Sequence, residues 1–422
     1  MTQTEKARRG ILSPVLRKVA AAEGVAPERL AELVGKGLVV IPFNPNHAPA
    51  RPAGIGRGLR TKVNVNLGTS RDFPLLANEL RKVRISIEYG ADALMDLSTG
   101  GDLRRIRRAI LARTPMPLGT VPIYQAALEV VKAGGGIADL MADRLFEVIE
   151  EQAADGVDFV TVHAGLSRQG VALAQGRTTG IVSRGGSLLA CWMTARGQEN
   201  PLLEQFDRLL ALAKDYDLTL SLGDGLRPGS LADATDAAQV HELGVLGELV
   251  RRCRAAGVQA MVEGPGHLPL DQVAANVVLQ KSLCDGAPFY VLGPLVTDIA
   301  PGYDHITSAI GGAVAGMAGA DFICYVTPAE HLSLPTIEEA VQGVVAARIA
   351  AHAADLVRRP ASRAWDDRMA VARRRLDWPG QIAAAIDPAT AARVHGRHGD
   401  NPEGGCSMCG DLCVFRLNQP QP

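Results

Sequence analysis

The chain has 422 residues, of which 47% are hydrophobic and 4% aromatic, and it carries 45 glycines. That is enough apolar material for one large domain with appendages, or for two domains. Forty-four basic residues against 45 acidic ones exclude the bulk positive charge of a nucleic-acid or membrane-surface binder. No apolar run is expected to approach the roughly 18–20 residues that span a bilayer.

Met1–Arg9 is basic but no apolar stretch follows it, so no secretory signal is expected. Cys191, Cys253, Cys284 and Cys324 stand apart in apolar or mixed segments. They read as buried free thiols in a reducing compartment, and the expected location is the cytoplasm.

Residues 1–55 read as an N-terminal appendage. Ala26–Val34 has helical spacing, Leu38–Pro42 is a short strand, and Asn44–Pro52 is a proline-rich connection. His47 lies in that connection and is expected to face solvent.

Residues 56–335 read as a catalytic domain. Eight β-type runs begin near Lys62, Ala91, Pro117, Asp158, Leu218, Gln259, Phe289 and Asp321, with helical stretches between them. The runs are nearly continuous in apolar residues, as parallel strands covered on both faces must be. Eight such units point to an α/β fold, a (β/α)8 TIM-type barrel, with a doubly wound open sheet as the competing architecture.

The strand ends carry the chemistry. In chain order they present Asn64 and Asn66; Met95 and Asp96; Thr120 with Tyr124; His163; Asp224 and Arg227; Glu263 and His267; Tyr290; then Tyr325 and His331. A barrel would bring these ends to one mouth, whereas an open sheet would spread them along an edge. A lone histidine at a strand end is more often structural than functional. His267, however, follows Glu263-Gly-Pro-Gly, and His331 lies just beyond the last strand. Two such imidazoles could hold a divalent ion. His305 stays ambiguous, and His241 and His352 read as structural.

Two stretches suit phosphate. Ser183-Arg-Gly-Gly-Ser187 reads as a loop that offers backbone N–H groups, hydroxyls and a guanidinium. Arg227-Pro-Gly-Ser230 offers a forked donor beside Asp224. The basic run Arg104–Arg108 reads as the solvated face of a helix.

Residues 336–395 read as C-terminal helices, opened by a capping box from Thr336 to Glu339. Residues 396–422 read as a flexible tail that carries Cys406, Cys409 and Cys413. Three thiolates on so short a segment suit a four-iron cluster with one iron left open to S-adenosylmethionine. They equally suit a zinc knuckle that borrows His395 or His398. Spacing alone does not separate the two.

Asp224-Gly-Leu-Arg-Pro-Gly-Ser, Glu263-Gly-Pro-Gly-His, the stretch Leu292–Gly311, Cys324-Tyr-Val-Thr-Pro-Ala-Glu-His and Cys406-Ser-Met-Cys together resemble the phosphomethylpyrimidine synthase family, the thiamin-pyrimidine enzymes of the radical S-adenosylmethionine group. The resemblance covers residues 55–415. It implies a (β/α)8 barrel with a cluster-bearing C-terminal arm, and a homodimer in which the arm serves the neighbouring barrel. It also implies conversion of 5-aminoimidazole ribotide to 4-amino-5-hydroxymethyl-2-methylpyrimidine phosphate, with S-adenosylmethionine and an external electron donor.

Matched motif by motif, the substrate site would comprise Asn66, Met95, Tyr124, His163, Ser183, Gly185, Asp224, Arg227, Glu263 and Tyr290. His267 and His331 would hold zinc or iron, and Cys406, Cys409 and Cys413 a 4Fe–4S cluster. Some positions depart from the family pattern. The last two cysteines are closer together, Val65 stands where alanine is usual, and Trp192-Met-Thr-Ala-Arg lacks an expected histidine pair. These departures leave room for 5-hydroxybenzimidazole synthase, which uses the same substrate. A reading of another class is a catalytically silent barrel whose tail holds zinc.

Overall fold

Eight parallel strands close into a barrel in the order β10-β3-β4-β5-β6-β7-β8-β9, so neighbours in space are neighbours in sequence. The strands are β3 (Lys62–Leu67), β4 (Ala93–Asp96), β5 (Leu118–Thr120), β6 (Phe159–Val162), β7 (Thr219–Leu222), β8 (Ala260–Gly264), β9 (Phe289–Leu292) and β10 (Phe322–Cys324). A short antiparallel pair, β1 (Val39–Val40) and β2 (Ile55–Gly56), precedes them. The structure, a computed structural model, describes residues 1–398, 406–409 and 412–417. The chain divides into two units, Met1–Ala354 and Asp355–Pro422.

Each barrel strand is almost wholly buried, which is why it reads as a continuous apolar run. Aromatic rings fill part of the interior. Phe322 meets Phe159 edge-on at 6.5 Å and Tyr290 at 4.3 Å between centroids. The open sheet is thereby excluded.

The N-terminal helices Gln3–Arg8, Pro14–Glu23 and Pro27–Gly35 have a small core of their own around Leu16, Leu30 and Val34. They attach to the N-terminal ends of the strands. Thr2 Oγ1 donates to Gly257 O at 2.6 Å, Gln3 N donates to Asp217, and Ile41 N donates to Gln259 Oε1 at 2.6 Å. Burial pushes the Asp217 carboxyl up to about 6. Lys62 Nζ, buried at the start of β3, pairs with Glu23 Oε1 at 2.9 Å. The floor of the barrel is thus plugged by the appendage, and the C-terminal ends of the strands are left for chemistry.

His47 corrects the sequence reading. It is not a solvent-facing loop residue. Its side chain is 7% exposed, and its Nδ1 lies 2.7 Å from Asp158 Oδ2. Asp158 also accepts from Asn44 N and Leu118 N. A buried carboxylate just before β6 needs such partners, and the proline-rich connection supplies two of them, His47 and Asn44.

Between β6 and β7 the chain forms the helices Pro201–Glu204 and Phe206–Tyr216. One stretch differs from expectation. Ser183–Ser187 is not a loop but the start of the helix Arg184–Arg196, with Ser183 as its N-cap. Serine is a favoured cap because its Oγ accepts an otherwise unpaired N–H, here that of Gly186 at 3.2 Å.

The capping box opens Ile337–Arg358 as expected, with Thr336 Oγ1 accepting from Glu339 N and Glu339 Oε2 accepting from Thr336 N. By length and composition this helix could cross a membrane, with a mean hydropathy of 1.3. Arg348 and Asp355 interrupt its apolar residues, so no unbroken apolar run of that length is present in it. Its apolar character comes from a buried face of Ala340, Val344, Ala347, Ala350 and Ala354. Small side chains let it approach the preceding helix closely: a Cβ on Gly316 would lie 2.6 Å from Ala354 Cβ.

In the second unit, helices Arg363–Arg374, Trp378–Ala384 and Pro388–His395 follow. The ring of His395 is stacked on Trp378 at 3.9 Å. The tail expected from residue 396 begins as a single turn of 3-10 helix, Gly396–His398, and its residues 399–405, 410–411 and 418–422 lie outside the described residues.

Candidate active site at the barrel mouth

Strand ends, and for Tyr124 the first turn of the helix Pro122–Lys132, place Asn66, Met95, Tyr124, His163, Asp224, Arg227, Glu263 and Tyr290 around one cleft at the C-terminal end of the barrel. Ser183 and Gly185 join them through His163. Ser183 Oγ lies 3.1 Å from His163 Nε2, and Gly185 stands directly against the imidazole. All ten residues expected to bind substrate are therefore brought together, from six barrel strands or the turns that follow them and from the starts of the helices Pro122–Lys132 and Arg184–Arg196.

Charge in the cleft is set by burial. Asp224 Oδ1 lies 3.3 Å from Arg227 Nη1, but burial outweighs that pairing and pushes the carboxyl up to about 7. Glu263 Oε1 accepts from Thr161 Oγ1 and Ser221 Oγ, each at 2.6 Å. Burial raises its pKa against those two bonds. Burial holds His163 down to about 3, helped by the Arg227 charge, so its ring is neutral. Arg184 lies over the Tyr124 ring at 5.1 Å.

Among the described residues, His163 Nδ1 and Asp224 Oδ2, which both line the cleft, are buried without a hydrogen-bond partner, as is Asn64 Oδ1. Buried polar atoms are paired almost everywhere in folded proteins. Two such atoms on residues that line one cleft mark a place for a polar ligand. Asn64 Nδ2 meanwhile donates to Tyr290 OH at 2.7 Å and to Asn66 Oδ1 at 2.9 Å.

Next to the cleft, the His267 and His331 rings lie 5.2 Å apart at 50°. Their Nδ1 atoms face carboxylates, His267 at 2.8 Å from Asp298 Oδ1 and His331 at 3.6 Å from Asp304 Oδ2. Both acids come from the segment that follows β9, the strand between β8 and β10. Among the described residues no group of three or more His, Cys, Asp or Glu is arranged to hold a metal. A site here would have two protein donors.

The three tail cysteines belong to the second unit. Cys406 has its thiol pKa lowered by backbone N–H groups of Cys409 and Met408, which favours the thiolate a metal centre needs. Cys409 is exposed and Cys413 buried.

Sequence reasoning missed several contributors. Cys253, Cys284 and Cys324 are buried as expected, whereas Cys191 is exposed. Cys324 is more than a core thiol, because it lines the cleft and accepts from Asn66 Nδ2 at 3.1 Å. Burial pushes it up to about 12. Thr161 and Ser221 were legible in principle, since strand residues two apart share a face; Thr161 shares that of His163. His241, read as structural, is held by Ser167 Oγ at 2.9 Å.

A closed parallel barrel whose strand tips gather acids, amides and imidazoles around one cleft defines a (β/α)8 enzyme. The chain matches the Radical SAM ThiC family over residues 2–420 and belongs to it. It is similar to the phosphomethylpyrimidine synthase of Moorella thermoacetica, at 58% identity over 420 residues covering 99% of this chain and 97% of that protein. The synthase of Desulforudis audaxviator is also 58% identical, with the same coverage. That of Geobacter metallireducens is 54% identical and covers 99% of this chain and 96% of its own length. The protein is thus a radical S-adenosylmethionine lyase, and its family implies that cofactor and an iron–sulfur cluster.

Proposed function

We propose that the chain converts 5-aminoimidazole ribotide into 4-amino-5-hydroxymethyl-2-methylpyrimidine phosphate in thiamin biosynthesis. The observation that carries this reading is the convergence of Asp224, Glu263, His163 and the Ser183 helix cap on one cleft. A ribotide carries a phosphate, a ribose and a polar ring, and the cleft offers a different partner for each.

The phosphate goes to the N-terminus of Arg184–Arg196, where unpaired N–H groups and the helix dipole favour an anion. Arg227 adds a forked cation. Asp224, raised by burial to about 7, can donate or accept a proton near neutral pH at the ring and ribose, and Glu263, also raised by burial, is a second acid beside them. Neutral His163 offers Nδ1 as one more partner. Tyr124 and Met95 close the apolar side.

Cys406, Cys409 and Cys413 would hold a 4Fe–4S cluster, and the lowered Cys406 thiol fits that role. Bound there with S-adenosylmethionine and fed by an external electron donor, the cluster would supply the reductive cleavage that starts the reaction. His267 and His331 would hold zinc or iron. The fit rests on the carboxylates facing both Nδ1 atoms, because metal-binding imidazoles usually give their other nitrogen to such a partner. Two donors leave coordination positions for the cofactor. The functional unit in this reading is a homodimer with each arm serving the neighbouring barrel, in the reducing cytoplasm that suits free cysteines.

The test is product identification by mass spectrometry under strict anaerobiosis, from 5-aminoimidazole ribotide, reductant and S-adenosylmethionine. The pyrimidine phosphate supports the reading; 5-hydroxybenzimidazole in its place overturns it. Iron and sulfide near four each per chain support the cluster. A colourless protein with one tightly held zinc rejects it.

A further inference from the structure

The turn that carries Asp224 and Arg227 is gripped from both sides by residues outside the cleft. Glu242, on the helix Ala237–Ala256, takes the donors of the turn. Its Oε1 accepts from Gly225 N at 2.9 Å and its Oε2 from Leu226 N at 2.7 Å. Arg177 takes the acceptors. It donates Nη2 to Leu226 O at 2.8 Å and Nη1 to Arg227 O at 3.4 Å.

Arg177 is itself held by Asp236, with Nε to Oδ2 at 2.7 Å and Nη2 to Oδ1 at 2.6 Å. Asp236 caps the helix on which Glu242 stands. The two grips therefore share one rigid support. Glu242 is 2% exposed, and a Cβ on Gly225 would lie 3.0 Å from its Oε1. Across the same turn, Gly186 fits only without a side chain, since a Cβ would lie 2.3 Å from Gly225 O.

We infer that Glu242 and Arg177 are positioning residues that clamp the Asp224–Arg227 turn and, through Gly225 and Gly186, fix it against the helix that begins at Arg184. The inference rests on the reading that Asp224 and Arg227 meet the substrate. Its physical basis is that buried backbone N–H and C=O groups must be paired, and a turn has no ladder to pair them. A carboxylate and a guanidinium supply charge-assisted bonds of complementary sign. Both Glu242 oxygens accept, which is the geometry of the ionised form. Burial, with the nearby Asp224, works against ionisation and pushes the group up to about 8. An isolated acid there would cost stability for nothing, so the two N–H bonds are the reason to keep it. Neither residue needs to touch the ligand, and a displacement of the turn by a fraction of an ångström is enough to weaken binding.

The test uses the full-length, cluster-free chain. In Glu242→Gln, one side-chain oxygen becomes an NH2 that opposes an N–H of the turn, with volume unchanged. The dissociation constant for 5-aminoimidazole ribotide, by titration calorimetry, is expected to rise about tenfold. A double-mutant cycle with Asp224→Asn is expected to be strongly non-additive, as residues acting through one element are. Amide exchange at Gly225 and Leu226 is expected to quicken about tenfold, with exchange in the β7 strand unchanged. Binding within twofold of the parent chain, or additive effects in the cycle, overturns the inference. If the parent chain binds no 5-aminoimidazole ribotide, the reading of function fails. The exchange rates then decide the clamp alone, and unchanged rates at those two amides reject it. Arg177→Met should free the same turn and follow the same pattern.

Discussion

Gly185 stands so close to His163 that a Cβ placed on it would lie 2.2 Å from the imidazole Cε1. The contact joins the end of β6 to the first turn of the helix Arg184–Arg196, two segments that the sequence separates by a long excursion. Gly185→Ala must therefore displace His163 or the helix start, and overpacking of this kind costs about 1–3 kcal/mol. The expected outcome is a fall in kcat/KM of at least tenfold with a modest drop in Tm. Unchanged kinetics would separate His163 from the site.

Asp224 makes the stability of the ligand-free chain depend on pH. Its folded pKa is raised from 3.8 to about 7 by burial, so folding favours the neutral acid. That contribution is fully present below about pH 4 and is lost as pH rises through about 7. At 1.36 kcal/mol per unit the loss is at most about 4 kcal/mol. Asp224→Asn cannot ionise. Its Tm is expected to exceed that of the parent chain at pH 8 and to approach it at pH 4; equal differences at both values would remove Asp224 as the titrating group.

The histidine pair predicts a graded loss of metal. If His267 is a ligand as proposed, His267→Ala should abolish stoichiometric zinc or iron binding at that site. Asp298→Asn keeps the ligand but weakens the partner 2.8 Å from its Nδ1. Such changes typically lower metal affinity about 10–100-fold. Elemental analysis and competition titration on cluster-free protein measure both, and an unchanged metal content in His267→Ala would take it off the ligand set.

Cys409→Ala leaves two thiolates on the tail. The variant is expected to lose cluster iron and to form no 5′-deoxyadenosine from S-adenosylmethionine on reduction. Chromatography of the reaction mixture reads this directly, and full turnover would refute the ligand assignment.

His47 and Asp158 form a buried pair at the barrel floor, far from the cleft. His47→Ala leaves a buried carboxylate short of one partner, and breaking such a pair costs about 3–5 kcal/mol. Chemical denaturation should show that loss, while kcat of the folded fraction stays within about twofold. A stability change below 1 kcal/mol would show that the pair contributes little.

The eight βα units were legible because parallel barrel strands are short, apolar and regularly spaced. Asn66, His163, Asp224 and Glu263 were legible because strand ends are where polar residues interrupt those runs. Ser183 was recognised by composition but its conformation was not. A serine, an arginine and two glycines suit a loop as well as a helix start, and only the chain beyond them decides. His47 was misread for a related reason: nothing near it in sequence announces Asp158, more than a hundred residues away.

Local pattern by itself therefore determined the strand count, the order of the units, the tips that carry chemistry and the cysteine spacing of the tail, since each depends on neighbours a few positions apart. Only tertiary structure decided which atoms meet. Closing the barrel set Gly185 against His163, turned Cys324 into the cleft, gave His267 and His331 their carboxylates from one shared segment, and placed Glu242 and Arg177 around the Asp224 turn. Those contacts depend on burial and on distances between remote segments, and a linear string of residues encodes them only through the fold.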